Sequence, residues 1–441
     1  MFGFLRSGPE YNAHSPQHEI AQRYRYWRFH IMVNMYIGYV AFYLTRKSFN
    51  YAAPDMIADL GLDKSDIGLM STAYYITYGL SKFFSGILSD QSNPRYFMGI
   101  GLIMTGIINI FFGLAQSLPI FIALWVGNAF FQGWGWPACS KLLTTWYARS
   151  ERGLFWAIWN TTHNVGAVVI YLMVIIVATH DHWRNGFIVP GIIAIVVGLI
   201  LTYRLRDKPT TLGLPTIGQW RQDPIQLEQE NYKPNLSFRD ILLHYVLENK
   251  YLWLLGSSYI LVYIVMVAIN DWGNLYLIEQ KGYDLTTANA TLTLFELGGF
   301  IGCLVAGWGS DVVFKGNRGP MNLIYSIGIF MSVTALWVMP LNDVIFQATL
   351  FFCLGFFVCG PQMLIGMAAV ECSHKNAAGA ATGFVGLFAY IGASIAGYPL
   401  ALVLDKFHWN AFFAIISLCA AGIGLLLLPF LQAQFPAHDE S

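Results

Sequence analysis

The sequence predicts an all-α membrane protein of about twelve transmembrane helices, set in two six-helix halves with both termini cytoplasmic. Three observations carry that prediction. The 441 residues are 56% hydrophobic and only 11% charged, where soluble domains carry roughly 25% charge. Apolar stretches of about 20 residues, enough to cross a bilayer, recur from end to end. A polar segment holding four prolines divides them evenly. Formal net charge is zero, so the balance gives no pointer to nucleic acid.

Taken in order, the chain opens with a polar segment, 1–28, carrying Arg6, Arg23, Arg25 and Arg28. It lacks the apolar core of a cleavable signal peptide, so the first span is expected to act as its own insertion signal. Spans follow near 29–52, 66–88, 96–115, 118–141, 153–178 and 185–203, which make the N-terminal half, 29–203. The segment 204–250, with Pro209, Pro215, Pro224 and Pro234, reads as a cytoplasmic linker. Spans near 251–275, 287–308, 321–340, 344–368, 377–404 and 409–431 make the C-terminal half, 251–431, and 432–441 is a cytoplasmic tail. Most lysines and arginines fall in the N-terminus and the even-numbered loops. The odd-numbered loops hold only Lys64, Arg184, Lys281 and Lys406, which places both termini in the cytoplasm. The six cysteines, Cys139, Cys303, Cys353, Cys359, Cys372 and Cys419, show no paired spacing and read as packing residues, with neither disulfides nor zinc expected.

The two halves repeat. After the second span the chain reads Gly86-Ile87-Leu88-Ser89-Asp90 with Arg95 following; after the eighth, Gly307-Trp308-Gly309-Ser310-Asp311 with Arg318 following. An aspartate and an arginine in a short turn can bridge neighbouring helices, and Asp90, Arg95, Asp311 and Arg318 are therefore candidate conformational turn residues. Parallel repeats about an axis normal to the membrane, with a site at mid-membrane, describe the major facilitator fold.

Charge inside the spans marks the candidate site. Arg46, Lys82 and His163 lie within apolar stretches, where a charged side chain costs about 2.5–3.5 kcal/mol on insertion scales and normally faces a cavity or a bound ion. With no acid near them in sequence, the expected countercharge is an anionic ligand. Helical spacing puts Tyr39, Tyr43 and Arg46 on one face, Tyr78 beside Lys82, and Trp159 and Asn160 beside His163. Arginine presents two parallel donors to a phosphate, lysine a point charge, and histidine a donor of variable charge. Plainer readings stand beside these: a structural ion pair for Arg46, a snorkelling Lys82, a packing His163. Lys47 and Lys141 read as interfacial or helix-pairing, and Phe130–Trp136 with Pro137 as helix packing. The C-terminal half adds Tyr263 and Tyr390 as ligand contacts. Its Glu296, mid-span, is a candidate to pair with Lys82 or Arg46, and Asp271 reads as either a gate or a surface residue. A nucleophile–base signature, an H-E-x-x-H pair and a phosphate-binding Gly-Lys-Ser loop are all lacking, so the reading is not an enzyme and calls for no cofactor or metal.

At these residues the chain resembles the organophosphate:phosphate antiporter family of major facilitator proteins. The matches include Tyr39-x3-Tyr43-x2-Arg46-Lys47, Tyr78-Gly79-x-Ser81-Lys82-Phe83, Gln132-Gly133-x-Gly135-Trp136-Pro137 and Trp159-Asn160-x2-His163-Asn164-Val165-Gly166. Arg206-Asp207-x-Pro209-x3-Gly213-Leu214-Pro215 and Gly379-Ala380-x-Thr382-Gly383 continue the resemblance to both ends. It implies a multi-pass protein of the cell inner membrane that binds hexose phosphate, with inorganic phosphate as exchange partner. Asn270–Tyr276 and Glu371–Lys375 look most like the family's hexose-phosphate sensor branch, whose members work as transporter-like partners of a membrane histidine kinase; other members look like hexose 6-phosphate transporters. The family clamps the phosphate with two arginines. The first falls on Arg46; the second falls on Met266, which the internal repeat also aligns with Arg46. Cys359 stands where the family often has tyrosine.

Overall fold

A computed structural model of the chain describes residues 17–148, 155, 158–178, 183–222, 227, 246–314, 317–339, 341–372 and 378–431. Every regular element among them is a helix. The N-terminal spans are α1 (Gln17–Leu60), α2 (Lys64–Gln91), α3 (Pro94–Leu114), α4 (Leu118–Gln132), α5 (Gly135–Trp146), α6 (Thr162–Ala178) and α7 (Asn185–Arg204), followed by the short α8 (Ile217–Arg221). The C-terminal spans are α9 (Lys250–Lys281), α10 (Leu285–Trp308), α11 (Arg318–Val338), α12 (Val344–Glu371), α13 (Ala378–Ala396) and α14 (Tyr398–Leu427).

Among the described residues the expected spans fall on helices, with two departures. Seven stretches among the described residues cross the threshold of length and apolarity for a membrane span. The others fall short for visible reasons: α1 and α2 carry the polar residues singled out above, and the fourth span is broken. It divides into α4 and α5 at Gly133 and Trp134, a break that averaged hydropathy cannot see. The last two spans are also divided otherwise than expected. A stop at Gly397 separates α13 from α14, and within α14 His408 has φ 61°, so the chain turns there between the eleventh and twelfth spans.

The internal repeat reappears in the caps. Asn93 accepts a hydrogen bond from the Arg95 amide at the start of α3, and Asn317 accepts one from the Gly319 amide at the start of α11, with nearly the same backbone angles (φ −74°, ψ 114° and φ −75°, ψ 113°). A side-chain oxygen on an orphan amide is what starts a helix. Asp284 does the same for α10, receiving both the amide and the hydroxyl of Thr287.

The chain gathers into two compact units. One joins Met1–Phe49 to Leu80–Asn235; the other joins Asn50–Gly79 to Leu236–Ser441. The division cuts α1 after Phe49 and α2 after Gly79, so the ends of those helices that flank the α1–α2 turn pack with the second unit. In the first unit α3 and α7 are in glycine-mediated contact. A Cβ on Gly106 would lie 2.5 Å from the Gly191 carbonyl oxygen, and one on Gly198 would lie 3.0 Å from that of Gly99. Small residues at that spacing let two helix backbones approach without side chains between them.

Candidate functional site

In the first unit the cation-bearing turn of α1 is held by a buried polar ladder. Gln132 donates to the Phe42 carbonyl at 2.9 Å and to the Thr45 hydroxyl at 2.9 Å; Asn128 donates to the Thr45 carbonyl at 3.2 Å. Asn109 donates in turn to the Asn128 side-chain oxygen at 3.2 Å. Asn109, Asn128, Gln132 and Thr45 are all buried. Hydrogen bonds in so dry a place are directional and strong, and they fix the backbone just before Arg46. The guanidinium of Arg46 lies 5.0 Å from the centre of the Tyr43 ring, within cation–π range.

The break between α4 and α5 positions Lys82. A Cβ on Gly133 would meet the Lys82 amide nitrogen at 2.9 Å, so only glycine lets α2 come this close. Ser81 donates to the Phe130 carbonyl at 2.5 Å and Ser85 to the Gly133 carbonyl at 2.8 Å, locking the approach. The first turn of α5 then carries Trp136 over Lys82, whose ammonium is 4.4 Å from the ring centre. The stretch Phe130–Trp136, read from sequence as helix packing, divides in two. Trp134 does pack between helices, stacked on Phe97 at 4.5 Å, but Trp136 turns to the cations. Trp134 lies in the break and Trp136 in the first turn of α5, a division that no local sequence signal gives.

His163 closes the group from α6. A Cβ on Gly166 would collide with Tyr43, so α6 rests directly on α1. The His163 ring lies 5.4 Å from Tyr39, 4.9 Å from Tyr43, 5.9 Å from Trp159 and 6.3 Å from Trp136. Its Nδ1 is 2.5 Å from the Asn160 carbonyl oxygen. A carbonyl only accepts, so Nδ1 carries a hydrogen and Nε2 is the atom left for a ligand. That refines the expected donor role: Nε2 accepts when the ring is neutral and donates only as imidazolium. Lys141 pairs helices, donating to the Ser92 carbonyl at 2.7 Å.

The second unit gathers a different set. Tyr390 lies 4.9 Å from Tyr78 and 6.0 Å from Tyr263, while Tyr259, not singled out from sequence, lies 4.9 Å from Tyr263 and donates to the Gln362 carbonyl at 2.7 Å. Met266 sits about one turn of α9 beyond Tyr263 and accepts on its carbonyl from Asn270. Cys359 is buried and accepts on its carbonyl from the Cys303 thiol. Glu296 is almost fully buried on α10.

Asp271 is not a surface residue. It is 6% exposed and receives Asn50 at 2.5 Å and the Tyr75 hydroxyl at 3.1 and 3.2 Å. Asn50 also donates to the Asn270 carbonyl, and Asn274 donates to the Asn50 carbonyl at 2.7 Å. Sequence reasoning missed Asn50 and Tyr75 because their partner is some 200 residues away. Of the turn residues, Arg95 donates to the Thr202 carbonyl and buried Arg318 to the Ser310 hydroxyl. The side chains of Asp90 and Asp311 lie outside the described residues.

With this geometry in place, the comparisons with known proteins are informative. A model of the Major Facilitator Superfamily matches residues 35–397. The "Membrane sensor protein UhpC" of Escherichia coli (strain K12) is 59% identical over 436 residues, covering 99% of each chain. A "Probable hexose phosphate transport protein" of Chlamydia trachomatis is 49% identical over 427 residues, covering 94% of this chain and 93% of its own. The "Glycerol-3-phosphate transporter" of Bacillus subtilis is 36% identical over 422 residues, covering 94% and 95%. Among solved structures, a D-xylose-proton symporter superposes with TM-score 0.72 at 13% identity, covering 92% of this chain and 98% of that one, a likeness of fold alone.

Proposed function

This chain belongs to the Major Facilitator Superfamily and, within it, to the organophosphate:phosphate antiporter family, and from that premise we propose that it is a transporter-like sensor of external hexose phosphate. The observation that carries the reading is the gathering of Arg46, Lys82 and His163 on one aromatic wall of Tyr39, Tyr43, Trp136 and Trp159. Arg46 supplies paired donors to two phosphate oxygens, Lys82 a point charge, and His163 Nε2, an acceptor in the neutral ring, a third contact to a ligand hydroxyl. The rings and Asn160 give the sugar a flat wall and polar edges. The experiment is a calorimetric titration of the purified protein with glucose 6-phosphate, expected to saturate in the wild type and to vanish in Arg46→Ala. Retained binding would remove Arg46 from the site.

Sensing is supported by the 59% identity to a protein named as a membrane sensor and by Met266 in place of a second arginine. The partner is a membrane histidine kinase, read at the cytoplasmic face. To signal, the ligand must prefer one conformation of the protein over another, because tight binding to both shifts nothing. Glucose 6-phosphate outside vesicles carrying both proteins is expected to change kinase autophosphorylation. The second reading is a hexose phosphate transporter exchanging against inorganic phosphate, favoured by the 49% identity to a probable hexose phosphate transport protein. Uptake of labelled glucose 6-phosphate into vesicles loaded with phosphate distinguishes the two.

A further inference from the structure

A second basic cluster lies away from the spans' interior, where the first turn of α3 meets the last turn of α7. The glycine contacts between these helices, with Gly99 against Gly198 and Gly106 against Gly191, bring Arg95 alongside Thr202, and Arg95 donates to the Thr202 carbonyl. Arg204 ends α7 and Arg206 follows it. Arg206 donates through Nη1 to the Tyr203 and Leu205 carbonyls, both at 2.8 Å, which commits one end of the guanidinium. The Arg95–Thr202 bond sets Arg95 beside the end of α7 that carries Arg204 and leads to Arg206, and partial burial and then the charges of Arg95 and Arg204 pull Arg206 below its ordinary protonation range. Asp207, next in sequence, does not relieve them: it is 3% exposed, and its carboxylate oxygens accept no hydrogen bond.

The surroundings are those of a bilayer surface. The face of α7 leading to the cluster exposes Ile192, Val196, Leu199 and Ile200, an apolar stripe at helical spacing suited to acyl chains. It ends at Tyr203, 72% exposed. Trp27 lies 5.1 Å from the Arg206 guanidinium and Tyr96 lies 4.9 Å from that of Arg95. Tyrosine and tryptophan collect at headgroup depth, and arginines beside them at that depth suit a phosphate headgroup.

We propose that Arg95, Arg204 and Arg206, framed by Trp27, Tyr96 and Tyr203, form a binding site for the headgroup phosphate of an anionic phospholipid. Acyl chains of the same lipid would lie along the exposed stripe of α7. A basic residue near an anionic bilayer strengthens association about fivefold, so removing two should weaken it roughly 25-fold by the same measure. The test uses the whole protein in nanodiscs of phosphatidylcholine, alone or doped with phosphatidylglycerol, released into a native mass spectrometer. Wild type is expected to retain phosphatidylglycerol over phosphatidylcholine, and the double variant Arg204→Gln, Arg206→Gln to lose that preference while melting at the wild-type temperature in pure phosphatidylcholine. Arg46→Ala should retain the lipid, since its defect belongs to the sugar-phosphate site. Equal retention by the double variant, or equal retention of both lipids by wild type, would overturn the proposal. So would displacement of the bound lipid by soluble glycerol phosphate, which would show that a free phosphate suffices.

Discussion

Arg46 is expensive to keep in a membrane, and the chain spends four buried polar side chains, Thr45, Asn109, Asn128 and Gln132, on fixing the turn that carries it. That investment makes sense if the guanidinium must meet a planar, two-oxygen edge. Arg46→Lys keeps the charge but not the fork, and hydrogen bonds to charged groups contribute about 1.5–3 kcal/mol, so glucose 6-phosphate affinity should fall roughly 10- to 100-fold. An unchanged affinity by calorimetry would mean that charge alone is recognised. Met266→Arg tests the opposite direction, adding a donor where the internal repeat aligns one, and should tighten inorganic phosphate binding by a similar factor. Arg46, Lys82 and His163 were legible in the sequence because a cation in an apolar run stands out by itself. Trp136 was not, since a tryptophan among tryptophans carries no such contrast and only the break at Gly133 and Trp134 separates it from its neighbours.

Helices meet at this site through missing side chains. Gly166 lets α6 rest on Tyr43, and a methyl group there has no room. Gly166→Ala should therefore cost about 1–3 kcal/mol of overpacking and push His163 away from Tyr43, which a lowered melting temperature together with weakened ligand binding would register. Loss of binding without loss of stability would instead point to a direct ligand contact. At the far end of α9, Asp284 caps α10 through the Thr287 amide and hydroxyl. Those bonds favour the ionised form and hold the carboxyl below the usual carboxylate range. The sign follows: the cap contributes fully above the carboxyl's ordinary range and is lost as pH falls through the lowered folded-state value. Asp284→Ala should cost about 1 kcal/mol at neutral pH and nothing once acid has protonated the wild type, as paired melting curves would show. Spans of this kind were readable from composition and from the length of the apolar stretches. The break at Gly133 and the stop at Gly397 were not, because hydropathy averages over a window while a helix ends at one residue.

At the level of the whole molecule, ligand charge and conformational bias decide the function. A phosphate monoester loses its second proton near pH 6, and the dianion is drawn more strongly to Arg46 and Lys82. Affinity for glucose 6-phosphate should therefore rise as pH increases through about 6, with the steepest dependence in the wild type and a flatter one in Lys82→Gln. A sequence can nominate such a site, since the cations and their spacing are local. It reports poorly on long-range polar clusters, since Asn50, Tyr75 and Asp271 come from α1, α2 and α9 and no local pattern announces their meeting. Whether binding also drives exchange turns on Met266. A carrier must hold phosphate and sugar phosphate each strongly enough to bias its conformations, and a shift from mostly one state to mostly the other requires a differential of about 5.5 kcal/mol. Removing one arginine's share of about 1.5–3 kcal/mol takes away a large part of that differential for inorganic phosphate, which has no sugar to compensate. Phosphate-driven uptake of labelled glucose 6-phosphate should therefore be slow in the native chain and faster in Met266→Arg, while glucose 6-phosphate binding persists in both. Brisk exchange by the native chain would make it a carrier in its own right and leave sensing as the secondary role.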